Sequence, residues 1–133
     1  MEEIIEMLTA PGFGNLATVD GGKPRVRPFA FMFAENGRFY FCTSSTKEVY
    51  RQLAECPFIE FTKTSEDMHW LRISGEINFD DDIRHKEKCF ENYPMLKNIY
   101  QSPDNQIFKV FYLEHGIALI DNMTGDPRKR FEF

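Results

Sequence analysis

The stretch RVRPFAFMFAENGRFYFCTSSTK, residues 25–47, decides how this chain folds. Asn36-Gly37 is the residue pair a two-residue hairpin turn asks for, because both central positions need positive φ. Runs rich in aromatic residues flank it, and such residues favour strands. The spacing predicts one strand over Arg25–Ala34, a tight turn, and a second strand over Phe39–Cys42. Next, Ser45 followed three residues later by Glu48 has the form of a capping box. The helix behind it carries Val49, Tyr50, Leu53 and Ala54 on one side and stops near Cys56-Pro57.

Outward from this hairpin the chain alternates between strand and short-helix patterns. Ile4, Ile5 and Leu8 have helical spacing and stop at Pro11-Gly12; Gly14–Val19 reads as a strand closed by the turn Asp20-Gly21-Gly22. Phe58–Lys63 alternates as a strand. After the turn Thr64–Asp67, His69–Phe79 alternates cleanly, with Leu71, Ile73, Ile77 and Phe79 on one face and Trp70, Arg72, Ser74, Glu76 and Asn78 on the other. Asp80-Asp81-Asp82 precedes a helix over Ile83–Tyr93, where carboxylates complement the helix dipole. A second short helix is expected over Pro94–Tyr100 and a loop over Gln101–Asn105. Phe108–Leu113 and Gly116–Asp121 read as strands, or as one long strand bent at Glu114-His115-Gly116. Asp126–Phe133 is expected to be a loose tail. The fold class is therefore mainly β: one domain over 1–133, six or so antiparallel strands and three or four short helices, closed into a small barrel that removes exposed sheet edges.

Composition narrows the function. Of 133 residues 42% are hydrophobic and 28% charged, as in a globular domain. Fourteen Phe bring aromatic content to 15%, which suits an aromatic core or a site for a planar ligand. The net charge of −5 argues against a nucleic-acid surface. The longest apolar run, Phe29–Ala34, is too short to span a membrane, and no cationic leader precedes an apolar run. Cys42, Cys56 and Cys89 lack CxxC spacing, as reduced cytoplasmic thiols would. His69, His85 and His115 are scattered and read as surface or structural residues.

The constellation that can carry chemistry joins two segments across the hairpin. Arg25 and Arg27 are two apart on one strand, hence on one face. The return strand leads to Thr43, Ser44, Ser45 and Lys47 at a helix start, where free N–H groups and the positive dipole end meet hydroxyls and a cation. Such a cluster meets the requirements of a phosphate dianion. The same residues also read as a solvated strand end followed by an ordinary capped helix.

GNLATVD (14–20), Arg25–Phe29, Phe39–Lys47 and Trp70–Glu76 resemble, in order and spacing, the FMN-binding split-barrel proteins of the pyridoxamine 5′-phosphate oxidase-like family, over Gly14 to about Asn122. That resemblance implies a six-stranded antiparallel split β-barrel working as a homodimer, with FMN at the subunit interface. By position, Arg25 resembles the strand arginine that contacts the FMN phosphate. Arg27, Pro28, Phe29 and Ala30 resemble the stretch lining the isoalloxazine edge. Cys42 and Thr43 match the end of the next strand, and Ser45, Thr46 and Lys47 the phosphate-gripping turn. Trp70, and less directly Arg72 on the same face, match positions that reach the flavin from the neighbouring subunit. The implied activity is electron transfer from NAD(P)H through FMN to a small acceptor. A non-catalytic FMN store or redox sensor, and a split barrel holding haem or another flavin, are the alternatives. The ending Asp126–Phe133 lacks the family oxidase's Arg-x-His substrate element, so oxidation of vitamin B6 is not expected; shorter relatives, the nitroimidazole-reductase-like branch among them, resemble the chain better in length. No catalytic acid or base is assigned.

Overall fold

Asn36 and Gly37 both take positive φ (51° and 76°) and place Glu35 opposite Arg38, closing the hairpin that the sequence anticipates. The computed structural model describes residues 1–133. In chain order the elements are α1 (Glu2–Thr9), β1 (Gly14–Asp20), β2 (Lys23–Phe29), β3 (Phe33–Glu35), β4 (Arg38–Ser44), α2 (Glu48–Glu55), β5 (Phe58–Thr64), β6 (His69–Asp80), α3 (Ile83–Asn92), α4 (Leu96–Tyr100), β7 (Phe108–Leu113), β8 (Ile117–Asn122) and β9 (Lys129–Glu132). No helix is long and apolar enough to cross a membrane.

Every strand pairing is antiparallel, in the order β2-β1-β5-β6-β7-β4-β3, with β8 against β6 and β9 against β8. The class is the expected one, a mainly β split barrel with a few helices, but nine strands are hydrogen-bonded where six or so were expected. The Arg25–Ala34 segment divides, the bend at 114–116 separates β7 from β8, and the tail adds β9. The splitting device is β6. Its first half, to Ser74, pairs β8, and its second half, from Ile77, pairs β7. β7 and β8 follow one another along β6 with the register shifted by one residue across Glu114-His115-Gly116. This is the bend the sequence suggested, in the form of a bulge.

The interior is aromatic and aliphatic. Leu16, Phe41, Phe61, Leu71, Ile73, Phe111 and Leu113 have no exposed surface, and Ile4 and Leu8 of α1 and Val49 and Leu53 of α2 pack into the same cluster. A second cluster forms where Tyr40 and Val110 meet Cys89 of α3 and Leu96 and Tyr100 of α4. Lys63 occupies an inward position of β5 because its ammonium closes α1, bonding the carbonyls of Leu8 (2.9 Å) and Ala10. Cations complement helix C-termini in this way, although burial pulls this amine below its usual pKa. Phe79, expected on the buried face, is instead 41% exposed at the barrel end and packs on Tyr50 (5.1 Å between centroids).

Three local expectations are corrected. The strand anticipated over Arg25–Ala34 is two, because β2 pairs β1 while β3 pairs β4 at the far end of the sheet. Residues 30–32 make the crossing, and Phe31 drops into the core against Phe39 and Phe41. The Ser45–Glu48 capping box does not form. The Ser45 backbone N–H is drawn to the Ile107 carbonyl (2.8 Å) and the Ser44 hydroxyl pairs with Thr46 (2.7 Å), so α2 starts at Glu48 with no side-chain cap. The tail is not loose either. Lys129–Glu132 pairs β8, the backbone of Phe133 exchanges bonds with Gly116 (3.0 and 3.1 Å), and its ring rests on Phe39 at 5.0 Å. Phe131 and Phe133, two apart and flanked by charges, carry the strand pattern that takes up the free edge of β8.

His69 ties the start of this tail to β6. Its Nε2 meets Asp126 Oδ2 at 2.9 Å, and that bond, with Asp67 nearby, raises the imidazole pKa above its ordinary 6.5. A raised folded-state pKa means the contribution is complete below 6.5 and is lost as pH rises through the raised value. Thermal unfolding midpoints should therefore fall as pH climbs above 6.5. Asp126→Asn should flatten that fall, and an identical pH profile in the variant would refute the tie.

Candidate functional site

β3 covers β4 only from Arg38 to Tyr40, so Phe41–Ser44 has no strand neighbour along that edge. A cleft of about 220 Å³ opens there. Pro28, Phe29 and Ala30 at the end of β2 form one side, Cys42 and Thr43 the floor, and Tyr93, Met95 and Ile99 the far wall. Lys47 stands at the mouth. The walls are mostly apolar, with a few polar groups converging, which is the usual make-up of a small-molecule site.

Thr43 is the telling residue. It is only 3% exposed, yet its hydroxyl Oγ1 has no hydrogen-bond partner. A buried polar group left unpaired costs about 1–3 kcal/mol, and Thr43 borders the cleft, so a turn of its side chain toward a bound group would recover it. Beside it, Lys47 has no carboxylate partner, and the first N–H groups of α2 meet no side-chain cap. An uncapped helix start next to a free ammonium is better suited to an anion than the capped helix expected from the sequence would have been.

The two arginines part company. Arg25 Nε lies 3.5 Å from Asp20 Oδ2, and Asp20 is shared with Arg51 of α2 (3.3 Å), so the charge of Arg25 is offset at the turn. Those cations hold the Asp20 carboxyl below its usual pKa, Arg51 foremost. Arg27 bonds only neutral acceptors: Thr18 Oγ1 at 2.8 Å, Gln52 Oε1 at 2.7 Å and the Leu16 carbonyl at 3.3 Å. Its charge is half-buried beneath α2 without a counter-ion, and burial lowers its pKa. Both side chains lie on the face of β2 opposite Pro28.

Of the residues singled out from the sequence, the structure brings Pro28, Phe29, Ala30, Cys42, Thr43 and Lys47 into one cleft. Ser45 and Thr46 form the turn beside it, and Arg27 sits behind it under α2. Arg25 and Trp70 do not line it. Trp70 lies across from Thr64 and Asp121 on the outer face of the sheet, with Arg72, which pairs Glu60 at 2.9 Å. Sequence reasoning missed Gln52 and the wall from Tyr93 to Ile99. Gln52 carried a signal, being a polar residue inside the buried stripe of Val49 and Leu53. The far wall carried none, because it depends on where the chain after α3, Tyr93 and α4, comes to rest beside β4. A second polar hollow, around His85, is internally paired: His85 with Glu35 (3.1 Å) and Asp80, Lys88 with Glu35 (2.7 Å), Arg38 with Glu114 (3.3 Å).

The profile of the family described as pyridoxamine 5′-phosphate oxidase matches residues 1–114. No curated protein matches the chain. A NimC/NimA family protein of Clostridium acetobutylicum is 34% identical and superposes with a TM-score of 0.90, over 100% of this chain and 92% of that one. A heme binding protein of Mycobacterium smegmatis is 17% identical, with a TM-score of 0.81 over 98% of this chain and 57% of that one. A pyridoxamine 5′-phosphate oxidase-related, FMN binding protein of Nostoc punctiforme is 15% identical, with a TM-score of 0.67 over 97% and 85%. At those identities the last two show a shared fold alone. The profile match and the first of these structures reach further, and the chain belongs to the pyridoxamine 5′-phosphate oxidase family.

Proposed function

We propose that this protein is an FMN-binding oxidoreductase that passes electrons from NAD(P)H to a small-molecule acceptor and works as a homodimer. The carrying observation is the mostly apolar cleft at the open edge of β4, with Lys47, free of any carboxylate partner, and the uncapped start of α2 beside it. Pro28, Phe29 and Ala30 would lie along the ring system, and Thr43 would bond its polar edge. Lys47 and the uncapped start of α2 would hold the phosphate, with the counter-ion-free Arg27 adding positive potential from behind. FMN supplies the redox chemistry when bound; the chain binds it, orients it and keeps water from its face. Haem is less well served, since His69, His85 and His115 all lie outside the cleft.

The outer face of the sheet supports the dimer. Pro24, Val26 (69% exposed) and Phe58 (54% exposed) share that face with Trp70 and Ile117. Apolar surface of this kind on a sheet is normally covered, and a second copy there would bring Trp70 into the seam, as the family resemblance implies.

FMN titration, followed by quenching of flavin fluorescence, tests the site. Lys47→Ala should weaken binding by about 1.5–3 kcal/mol, roughly 10- to 150-fold, for one lost charge-assisted contact. Thr43→Val should weaken it a few-fold while leaving thermal stability equal or higher, because the unpaired hydroxyl disappears with it. Unchanged affinity in both variants would overturn the site, and a loss in Arg25→Ala matching that of Lys47→Ala would move the phosphate to Arg25. If FMN binds but NADH and NADPH drive no turnover with any acceptor, the protein is a flavin store or sensor instead.

A further inference from the structure

Arg27 is held in a closed ring of neutral groups. One nitrogen of its fork donates to Thr18 Oγ1 at 2.8 Å and the other to Gln52 Oε1 at 2.7 Å. The Thr18 hydroxyl closes the ring by donating to the same Gln52 oxygen at 2.6 Å. Thr18 and Gln52 are both buried. Charges taken out of water are normally paired with an opposite charge, because leaving them unpaired is costly, and a guanidinium keeps its charge even so. Carboxylates are not scarce around this helix. Both acidic residues of α2, Glu48 and Glu55, and Asp20 at the end of β1 are held by Arg51, at 2.7, 3.2 and 3.3 Å, and Arg25 shares Asp20 at 3.5 Å. The charges on the outer side of α2 thus answer one another, while the charge beneath the helix stays open.

The ring also joins the two sides of the cleft. Arg27 immediately precedes Pro28, Phe29 and Ala30, which form one side. Gln52 belongs to the helix whose uncapped start, with Lys47, stands at the mouth. We infer that Gln52 is a positioning residue for the anion at the start of α2: its neutral amide oxygen docks the helix on β2 through Arg27 and leaves the arginine charge uncancelled. A glutamate there could accept the same two bonds, and it would cancel that charge. What Gln52 contributes is therefore both a fixed geometry and the absence of a negative charge, and it favours a ligand with an anionic group over a neutral one. This role rests on the cleft being the FMN site proposed above.

Gln52→Glu separates the two contributions, since the side chains have the same shape and differ in charge. Binding of FMN and of riboflavin, which has the same ring system without the phosphate, is followed by quenching of flavin fluorescence. Gln52→Glu should weaken FMN about tenfold, as one opposing unit charge near a dianion in partly buried surroundings would do. Riboflavin affinity should not change, and the thermal midpoint should hold or rise, because Arg27 gains a partner. Gln52→Leu breaks the ring, so the midpoint and the affinities for both flavins should fall together. Equal FMN affinity in the wild type and Gln52→Glu would overturn the inference, as would a matching loss of riboflavin affinity in Gln52→Glu, the mark of a merely structural role. Should the wild-type chain bind no FMN, the flavin reading fails, and inorganic phosphate then tests the charge by itself. Phosphate should raise the midpoint of the wild type and raise that of Gln52→Glu less; an equal rise, or none in either, would overturn the inference.

Discussion

Gly75→Ala is expected to be strongly destabilising. Gly75 lies where β6 changes neighbours from β8 to β7, and the bulge Glu114-His115-Gly116 passes directly against it. A Cβ added there would fall on the His115 carbonyl oxygen and within 3.1 Å of Leu113 Cδ2. The first obstacle is backbone, and it cannot rotate away, because β7 and β8 are held in register on both sides. Across the bulge the relation is mirrored, since a Cβ at Gly116 would meet the Ser74 carbonyl. Ordinary overpacking costs about 1–3 kcal/mol; here the ladder itself must shift, so the loss should reach or exceed the top of that range. Against a typical stability of about 5–15 kcal/mol this is severe, and the thermal midpoint should fall by roughly 10 °C or more. An unchanged midpoint would show that the bulge moves aside freely and that the close approach does not define the split.

Phe41→Ala should be comparably damaging, for the opposite reason. Phe41 has no exposed surface, and its ring is surrounded by four others: Phe61 at 5.1 Å, Phe111 at 5.5 Å and nearly parallel, Phe31 at 5.6 Å and Phe29 at 6.2 Å. Removing the ring leaves a cavity that these neighbours, anchored on separate elements, cannot close together. A loss of about 3–5 kcal/mol in urea unfolding is expected, and Phe41→Leu should recover a good part of it. A loss under about 1 kcal/mol would mean that the core repacks. Cys42 and Thr43 follow directly in the chain, so slack at Phe41 should also reach the cleft floor and weaken ligand binding in any variant that still folds.

Much of this was legible along the chain. The Asn36-Gly37 hairpin, the alternation through β6 and the helices α3 and α4 depend on interactions a few residues apart, and they came out close to where local chemistry put them. Glycines such as Gly75 gave no such warning, because what makes them necessary is a strand more than thirty residues away. The capping box at Ser45 was a sound local inference that a distant carbonyl, Ile107, defeated. At the tail the error ran the other way. Basic residues suggested a loose end, while Phe131 and Phe133 needed only the free edge of β8 to become a strand.

For the site the division is similar. By itself the sequence determined the class of fold and the aromatic character of the core, since each follows from residue type and near-neighbour spacing. Only the tertiary structure decided which residues converge. It turned Arg25 to Asp20 and left Arg27 without a counter-ion, buried the Thr43 hydroxyl unpaired, and brought Tyr93 and α4 against the open edge of β4 as a wall. Strand alternation places a side chain on a face of the sheet; which element covers that face, and which charge is already answered, is settled only when the chain closes on itself.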